Sequence, residues 1–310
     1  MRDLKVTRWH CMALRNVIED GKRLTEAVKN PILTPVVATF FQNSIQVLDL
    51  SSLLNNVFLG GKLFQLAETN AFMALTGLPF PKPIPDGETE SMPPDVIAKR
   101  DEFFNGSIPM PFGRLGQSTP EYALQDCKTY GFDGTIELLM SLQVVAAWTV
   151  FETLFGDLWE AALNAHPNKL SDLKGAGRQI TTKQIQRHGY DLSDKMGTLL
   201  KSVVSFTSLD GIIEAYNAAF QSQNKNINDA LTDNSIRAVS EMRNLIVHKA
   251  GVCDDQYMKG QKNVPSLLPR IDKGKKLELD GELLANTLNP SLICCAKLIS
   301  AVDAWIVGHP

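Results

Sequence analysis

The stretch Arg243-Asn244-Leu245-Ile246-Val247-His248-Lys249-Ala250-Gly251 indicates which kind of fold to expect. It forms the last turns of an amphipathic helical pattern, whose apolar residues recur at spacings of three and four: Ile236, Val239, Met242, Ile246 and Ala250. Asp233 or Asn234 can cap the start of this helix, and Gly251 stands where helices commonly end in the left-handed conformation. The pattern therefore predicts a helix that packs one face onto a core.

Three polar residues of this stretch suit the chemistry of a phosphodiester. Asn244 and His248 are four residues apart, so on an ideal helix they differ by about 40° and share a side. Arg243 lies about 140° from His248, so only its long stem can bring the guanidinium toward the imidazole. The negative end of the helix dipole favours a positively charged His248. The alternative is that these are ordinary polar residues on the exposed side of a surface helix.

Size and composition indicate an ordinary globular protein. At 310 residues the chain is long enough for two domains, and its 44% hydrophobic and 21% charged residues are typical of soluble proteins. The five cysteines are odd in number and lack metal-ligand spacing, which suits free thiols in a reducing compartment. No signal-type apolar core follows Met1, and the apolar stretch 35–60 is too polar to cross a bilayer. We expect a cytoplasmic protein with no membrane partner.

The distribution of charge matters more than its total. A net charge of −3 argues against a protein coated in positive potential for duplex nucleic acid. Two basic stretches nevertheless occur, at 169–187 and 259–276, and we expect both to be loops. The second follows the Arg–His helix, where a polyanion would need counter-charge, so Lys249, Lys259 and Lys262 are candidate RNA contacts. The alternative is that these are ordinary solvated lysines.

The chain order predicts three regions. Residues 1–78 form a smaller helical N-terminal region of unknown role. Nine of the sixteen prolines fall between Pro79 and Pro120, so residues 79–119 form a stiff, extended connector. Residues 120–310 form a helical bundle, in which no strand is long enough to build a sheet. The expected fold class is therefore all-α, an up-and-down helical bundle behind the N-terminal region.

Within the bundle, we expect a helix from about Thr119 to Tyr130 and a short extended piece at 276–280. The other predicted helices are 136–165, 192–206, 209–220, 227–231, the motif helix and 281–307, the last with a possible bend at Pro290. Glu152 lies among apolar residues of the longest helix. It is either exposed on the polar stripe or directed inward toward a partner.

The pattern resembles the HEPN superfamily, and within it the bacterial HEPN-like proteins linked to nucleases of the ribonuclease L type. The resemblance covers about residues 134–307. It rests on these segments: Arg243-Asn244-x-x-x-His248, Gly251-Val252-x-Asp254, Tyr257, Leu277-Glu278-Leu279 before a last helix, and the long helix with Phe151-Glu152.

The resemblance implies a homodimeric bundle in which two Arg–His helices meet in one cleft and cleave RNA without a metal or cofactor. Arg243, Asn244 and His248 would be catalytic, with Glu152 and Tyr257 in support. His248 would exchange protons with the ribose 2′-hydroxyl or the leaving 5′-oxygen, and Arg243 would hold the phosphate. A toxin or anti-phage effector is the expected role, with a protein partner for the N-terminal region. The alternative is a non-catalytic module of the same fold that binds RNA or nucleotide, or only dimerises.

Other catalytic signatures do not compete with this hypothesis. Gly175-Ala176-Gly177 lacks the third glycine and the preceding strand of a phosphate-binding loop. The remaining histidines are isolated from acidic or cysteine partners at ligand spacing, so we expect surface or packing roles for them and no metal site: His10, His166, His188 and His309.

Overall fold

The computed structural model describes residues 23–50, 133–167, 181–202, 204–220 and 224–308, with single positions at 75, 94, 95 and 98. The chain divides into two compact units, one built from Asp3–Ser51 and Gly134–Pro310, the other from Ser52–Asp133. The described helices belong to the first unit. The predicted connector and the short helix expected after Thr119 lie outside the described residues, apart from those single positions.

Regular structure in the described ranges is helical. One turn of 3-10 helix, Pro31–Leu33, leads into α1 at residues 34–50. The following helices are α2 (Asp133–Ala165), α3 (Thr182–Arg187), α4 (Met196–Lys201), α5 (Leu209–Phe220), α6 (Lys225–Leu231), α7 (Asn234–Lys249), α8 (Asp255–Asn263) and α9 (Gly281–Gly308). Extended pairing in these ranges amounts to an isolated bridge between Val252 and Lys276. The prediction of an all-α fold is confirmed.

Helix α2 supplies most of the largest fully buried side chains of the described chain, and the long helix α9 adds a further buried apolar face. Trp148, Phe151 and Trp159 of α2 are almost fully buried, and α6 and α7 pack against α9. Two hydrogen bonds fix α5 to α2. Trp159 Nε1 donates to Ala215 O at 3.0 Å, and the Tyr216 hydroxyl donates to Phe155 O at 2.7 Å. These bonds satisfy polar atoms that burial would otherwise penalise.

Helix α1 contributes to the same core. Its buried apolar residues recur at helical spacing and join the cluster formed by α2 and α9: Val37, Phe40, Val47 and Leu48. Asp303 of α9 accepts hydrogen bonds from the backbone amides of Lys29 and Asn30, at 3.0 and 2.9 Å. The sequence assigns residues 1–78 to a separate N-terminal region, whereas residues 29–48 pack into the bundle.

Two helices of the described chain pass the length and composition criteria for crossing a bilayer, Glu137–Ala165 and Gly281–Gly308. Half of the apolar window of each is buried inside the protein. The core helices of soluble proteins meet the same criteria, so this observation is weak evidence for a membrane span.

Three local predictions are wrong. The helix expected at 192–206 is confined to Met196–Lys201, because Ser202 donates its hydroxyl to Leu199 O and Ser205 pairs with Thr207 instead of continuing the helix. The basic loop expected after Tyr257 contains α8, whose first turn is capped by Asp254. The basic stretch 169–187 contains α3, which begins with a capping box between Thr181 and Gln184.

Candidate functional site

Helix α7 has a defined cap at each end. Asp233 is the N-cap, with its carboxylate accepting from the Ser235 amide at 2.8 Å, which selects between the two predicted caps. At the other end Ala250 (φ 49°) and Gly251 (φ 80°) both adopt the left-handed conformation. The Gly251 amide donates to Leu245 O at 3.1 Å, a Schellman-type closure. The helix therefore ends as the sequence predicts, with Ala250 sharing the left-handed turn.

Residues 251–253, which follow this helix end, form a short antiparallel pairing with residues 274–277. Leu277 N donates to Gly251 O at 2.8 Å, Cys253 N donates to Lys275 O at 2.8 Å, and Gly274 N donates to Cys253 O at 2.9 Å. Of the piece predicted to be extended at 276–280, only Lys276 and Leu277 take part in this pairing, next to Gly274 and Lys275. Three backbone bonds so close to His248 restrict how far the end of α7 can move.

A pocket of about 270 Å³ opens at the end of α7. Helix α8 and the turn before α5 supply its other walls. Its lining residues are Thr207, Ser208, Glu241, Arg243, Asn244, Leu245, His248, Lys249, Asp254, Gln256 and Tyr257. The structure thus brings Arg243, Asn244 and His248 together in one concave site.

The arrangement of these three side chains suits an anion. Arg243 Nη1 donates to Asn244 Oδ1 at 3.1 Å, so the half-buried guanidinium folds along α7 toward the side that Asn244 and His248 share. His248 is exposed in the last turn. A guanidinium beside an accessible imidazole can bind a phosphate and exchange a proton with it.

Lys249 and Tyr257 occupy the pocket edge in different ways. Lys249 Nζ lies 3.8 Å from the Asp254 carboxylate, which also caps α8 by accepting from the Tyr257 amide at 2.9 Å. Tyr257 is only 1% exposed, burial raises the pKa of its hydroxyl, and that hydroxyl lies 3.5 Å from Pro269 O. Its contacts are those of a packing residue that anchors α8.

Glu152 lies outside the pocket lining, half-buried on α2. Burial raises the pKa of Glu152, while the Trp148 indole N–H and the positive charge of Arg243 oppose the shift. Glu152 Oε1 and Trp148 Nε1 are both buried, and neither atom makes a hydrogen bond to another described residue. Of the two alternatives left open by the sequence, the structure favours a carboxyl directed inward, within electrostatic reach of Arg243.

The two remaining predicted contacts, Lys259 and Lys262, are exposed on α8 and do not line the pocket. Lysines on an exposed helix face keep their charge available to a polyanion at a fixed spacing.

Sequence reasoning missed four polar lining residues: Thr207, Ser208, Glu241 and Gln256. For Glu241 a signal was present, since seven residues separate it from His248 and the two differ by only about 20° on an ideal helix. Thr207 and Ser208 come from a turn more than thirty residues earlier, and only the packing of α5 brings them near α7.

Among the described residues, no three His, Cys, Asp or Glu side chains gather as a metal-binding group would require.

Comparisons of the chain with protein-family models, with curated proteins and with solved structures find no match.

Proposed function

We propose that this chain is a metal-independent endoribonuclease of HEPN type that acts as a homodimer. The observation that carries the proposal is that Arg243, Asn244 and His248 line one pocket at the end of α7. The resemblance of the Arg-Asn-x-x-x-His segment to that superfamily points to the same chemistry.

The reaction is an attack of the ribose 2′-oxygen on the adjacent phosphorus. One imidazole takes the 2′-hydroxyl proton, and the 5′-oxygen leaves with a proton supplied by an imidazolium. The products are a 2′,3′-cyclic phosphate and a 5′-hydroxyl. Arg243 donates to the phosphate oxygens, on which negative charge grows in the transition state. Two copies related by a two-fold axis present His248 twice, so one can serve as base and the other as acid.

The neighbouring residues orient the guanidinium and attract the RNA. Asn244 accepts a hydrogen bond from Arg243 and limits its conformations. The negative charge of Glu152 also attracts the Arg243 guanidinium. Lys249, Lys259 and Lys262 supply exposed positive charge next to the pocket, which favours binding of a single RNA strand.

One observation favours a second candidate, a non-catalytic module that binds RNA or nucleotide. The pocket lining contains two cations, Arg243 and Lys249, and two carboxyl residues, Glu241 and Asp254. The two pairs of charges cancel when His248 is neutral, which suits recognition of a small mixed-charge ligand as well as catalysis.

The experiment that separates these candidates is incubation of RNA with full-length protein in EDTA, read on a denaturing gel. We expect the wild type and His188→Ala to cleave, since His188 ends α3 and does not line the pocket. His248→Ala should lose at least about 100-fold in rate. Binding of RNA without cleavage by any of the three would support the second candidate.

We infer from the same resemblance that the cellular role is that of a toxin or anti-phage effector. Expression of the wild type should then arrest growth of a host cell, whereas His248→Ala should not.

A further inference from the structure

Glu241 is a carboxyl that the proposed chemistry does not use. It lies in the pocket wall on α7, half-buried, against Gly260 of α8. A Cβ added at Gly260 would lie 2.8 Å from Glu241 Cδ and 2.9 Å from Oε2. Because Gly260 has no side chain, the Glu241 carboxylate fits between α7 and α8.

Within the described part of the chain, Glu241 makes no hydrogen bond and no ion pair. Burial raises its pKa, and the charge of Arg237 opposes this. Arg237 itself lies 3.7 Å from the carboxylate of Asp210. A half-buried carboxylate without donors is costly to a folded protein, and a ligand that supplies donors recovers that cost. Glu241 is thus suited to contact a bound molecule.

The position of Glu241 relative to the cations fixes how a nucleotide enters. Glu241, Asn244 and His248 share one face of α7 at spacings of three and four. The other carboxylate of the lining, Asp254, is paired with Lys249, whereas Glu241 has no such partner in the described part of the chain. A phosphate is therefore repelled most by Glu241, so it lies at the end with Arg243 and His248, and the nucleoside extends toward Glu241. The pocket, about 270 Å³, is just below the usual range of ligand-site volumes, so it has room for one nucleotide at most.

We propose that Glu241 reads the base of the nucleotide held in this pocket, accepting hydrogen bonds from adjacent N–H groups, and that guanine is therefore preferred. The inference rests on the proposed function for the position of the phosphate. An ionised carboxylate only accepts hydrogen bonds, and guanine offers two N–H donors side by side on its Watson–Crick edge. Uracil presents a single N–H, which lies between two carbonyl oxygens. The negative carboxylate repels these two oxygens. Recognition of this edge requires an unpaired base, so the substrate class is single-stranded RNA containing guanine.

Calorimetric titration of the full chain with guanosine 3′-monophosphate and uridine 3′-monophosphate tests the proposal. The wild type should bind the guanine nucleotide at least about 10-fold more tightly. Glu241→Gln should reduce the preference to about twofold or less, because an amide presents a donor as well as an acceptor. Glu26→Gln, a change at an exposed position outside the pocket, should retain the wild-type preference.

Gly260→Ala provides a second variant that keeps the carboxylate. Its added methyl group displaces the carboxyl of Glu241, while alanine favours the helix that contains it. We expect a weaker preference for guanine with an unchanged unfolding temperature or a higher one. Equal affinity of the wild type for the two nucleotides, no binding of either, or full preference in both Glu241→Gln and Gly260→Ala would overturn the proposal.

Mapping of cut sites separates this inference from the proposed function. If RNA is cleaved in a His248-dependent manner at all four bases alike, the role of Glu241 is wrong and the nuclease stands. If guanine-selective binding depends on Glu241 but no RNA is cleaved, the nuclease is wrong and the role of Glu241 stands.

Discussion

Arg243 and Asn244 are neighbours in the sequence whose side chains also bond to each other, Arg243 Nη1 donating to Asn244 Oδ1 at 3.1 Å. Consecutive residues on a helix point about 100° apart, so the bond forms because the long arginine folds back along the surface. This bond brings the guanidinium toward His248. The angle of about 140° between Arg243 and His248 on an ideal helix would not do so by itself. Asn244 therefore positions Arg243.

Replacement of Asn244 by Asp should weaken the site more than replacement by Ala. A carboxylate at this position pairs with Arg243 and repels a phosphate, whereas alanine only removes the orienting bond. We expect cleavage of RNA to slow about 100-fold in Asn244→Asp and about 10-fold in Asn244→Ala. Single-turnover rates measure both, and equal rates in the three proteins would remove Asn244 from the site.

Activity should depend on two copies of His248. Sedimentation velocity should give twice the chain mass, and co-expressed dimers with one His248→Ala subunit should retain well under half of the wild-type rate, because one of the two imidazoles is missing. A mixed dimer carrying His188→Ala instead should be fully active. A strictly monomeric protein that cleaves RNA would contradict the composite site.

The left-handed turn after α7 should be sensitive to side chains. At φ 80° Gly251→Ala costs about 1 to 2 kcal/mol, because a Cβ approaches the following carbonyl oxygen. Ala250→Gly removes that penalty at φ 49° and should be neutral or stabilising by up to about 1 kcal/mol. Urea unfolding measures both. A stable Gly251→Ala variant would mean that the closure of α7 differs from the one described.

The ion-pair cluster of α2 and α4 should make stability depend on pH. Burial raises the pKa of Glu160, but hydrogen bonds from Lys201 and Thr198 outweigh it, so the pKa falls below its ordinary value. Because the pKa of Glu160 is lower in the folded protein than in the unfolded one, its ionisation stabilises the fold at pH values above the unfolded-state pKa. This stabilisation is lost as the pH falls through the folded-state pKa. Lys201 Nζ also contacts Asp157, at 2.7 Å, so Lys201→Met leaves two carboxylates uncompensated.

We expect Lys201→Met to lose about 1 to 2 kcal/mol at neutral pH and to show a smaller decline in stability below pH 5. Lys195→Met is the matched control, since its partner Asp191 is 62% exposed, and it should leave the free energy of unfolding nearly unchanged. Urea unfolding between neutral and acidic pH measures both. Identical pH profiles for wild type and Lys201→Met would contradict the assignment.

The helical pattern around Ile236, Val239 and Met242 was sufficient to predict α7, because all three residues face the core and are fully buried. The long apolar run at 136–165 predicted α2 for the same reason. Hydrophobic periodicity predicts these helices because each one buries one face in the core and exposes the other to solvent. The all-α class follows from these local signals.

The sequence did not predict α8 or the composition of the pocket. Helix α8 contains Gly260 and is mostly polar, so helix propensity does not mark it. The Asp254 cap and the burial of Tyr257 stabilise it instead. Ser208 reaches the pocket only through the folding of the chain between α4 and α5. Contacts between segments distant in sequence leave no local pattern to read.

Analysis of RNA ends by mass spectrometry, after incubation with the full-length protein in EDTA, tests the central claim most directly. Attack by the 2′-oxygen predicts fragments ending in 2′,3′-cyclic phosphate and beginning with 5′-hydroxyl, which are lost in His248→Ala and in RNA with 2′-deoxyribose at the cut site. Fragments with 5′-phosphate ends, or the same products from His248→Ala, would contradict the claim.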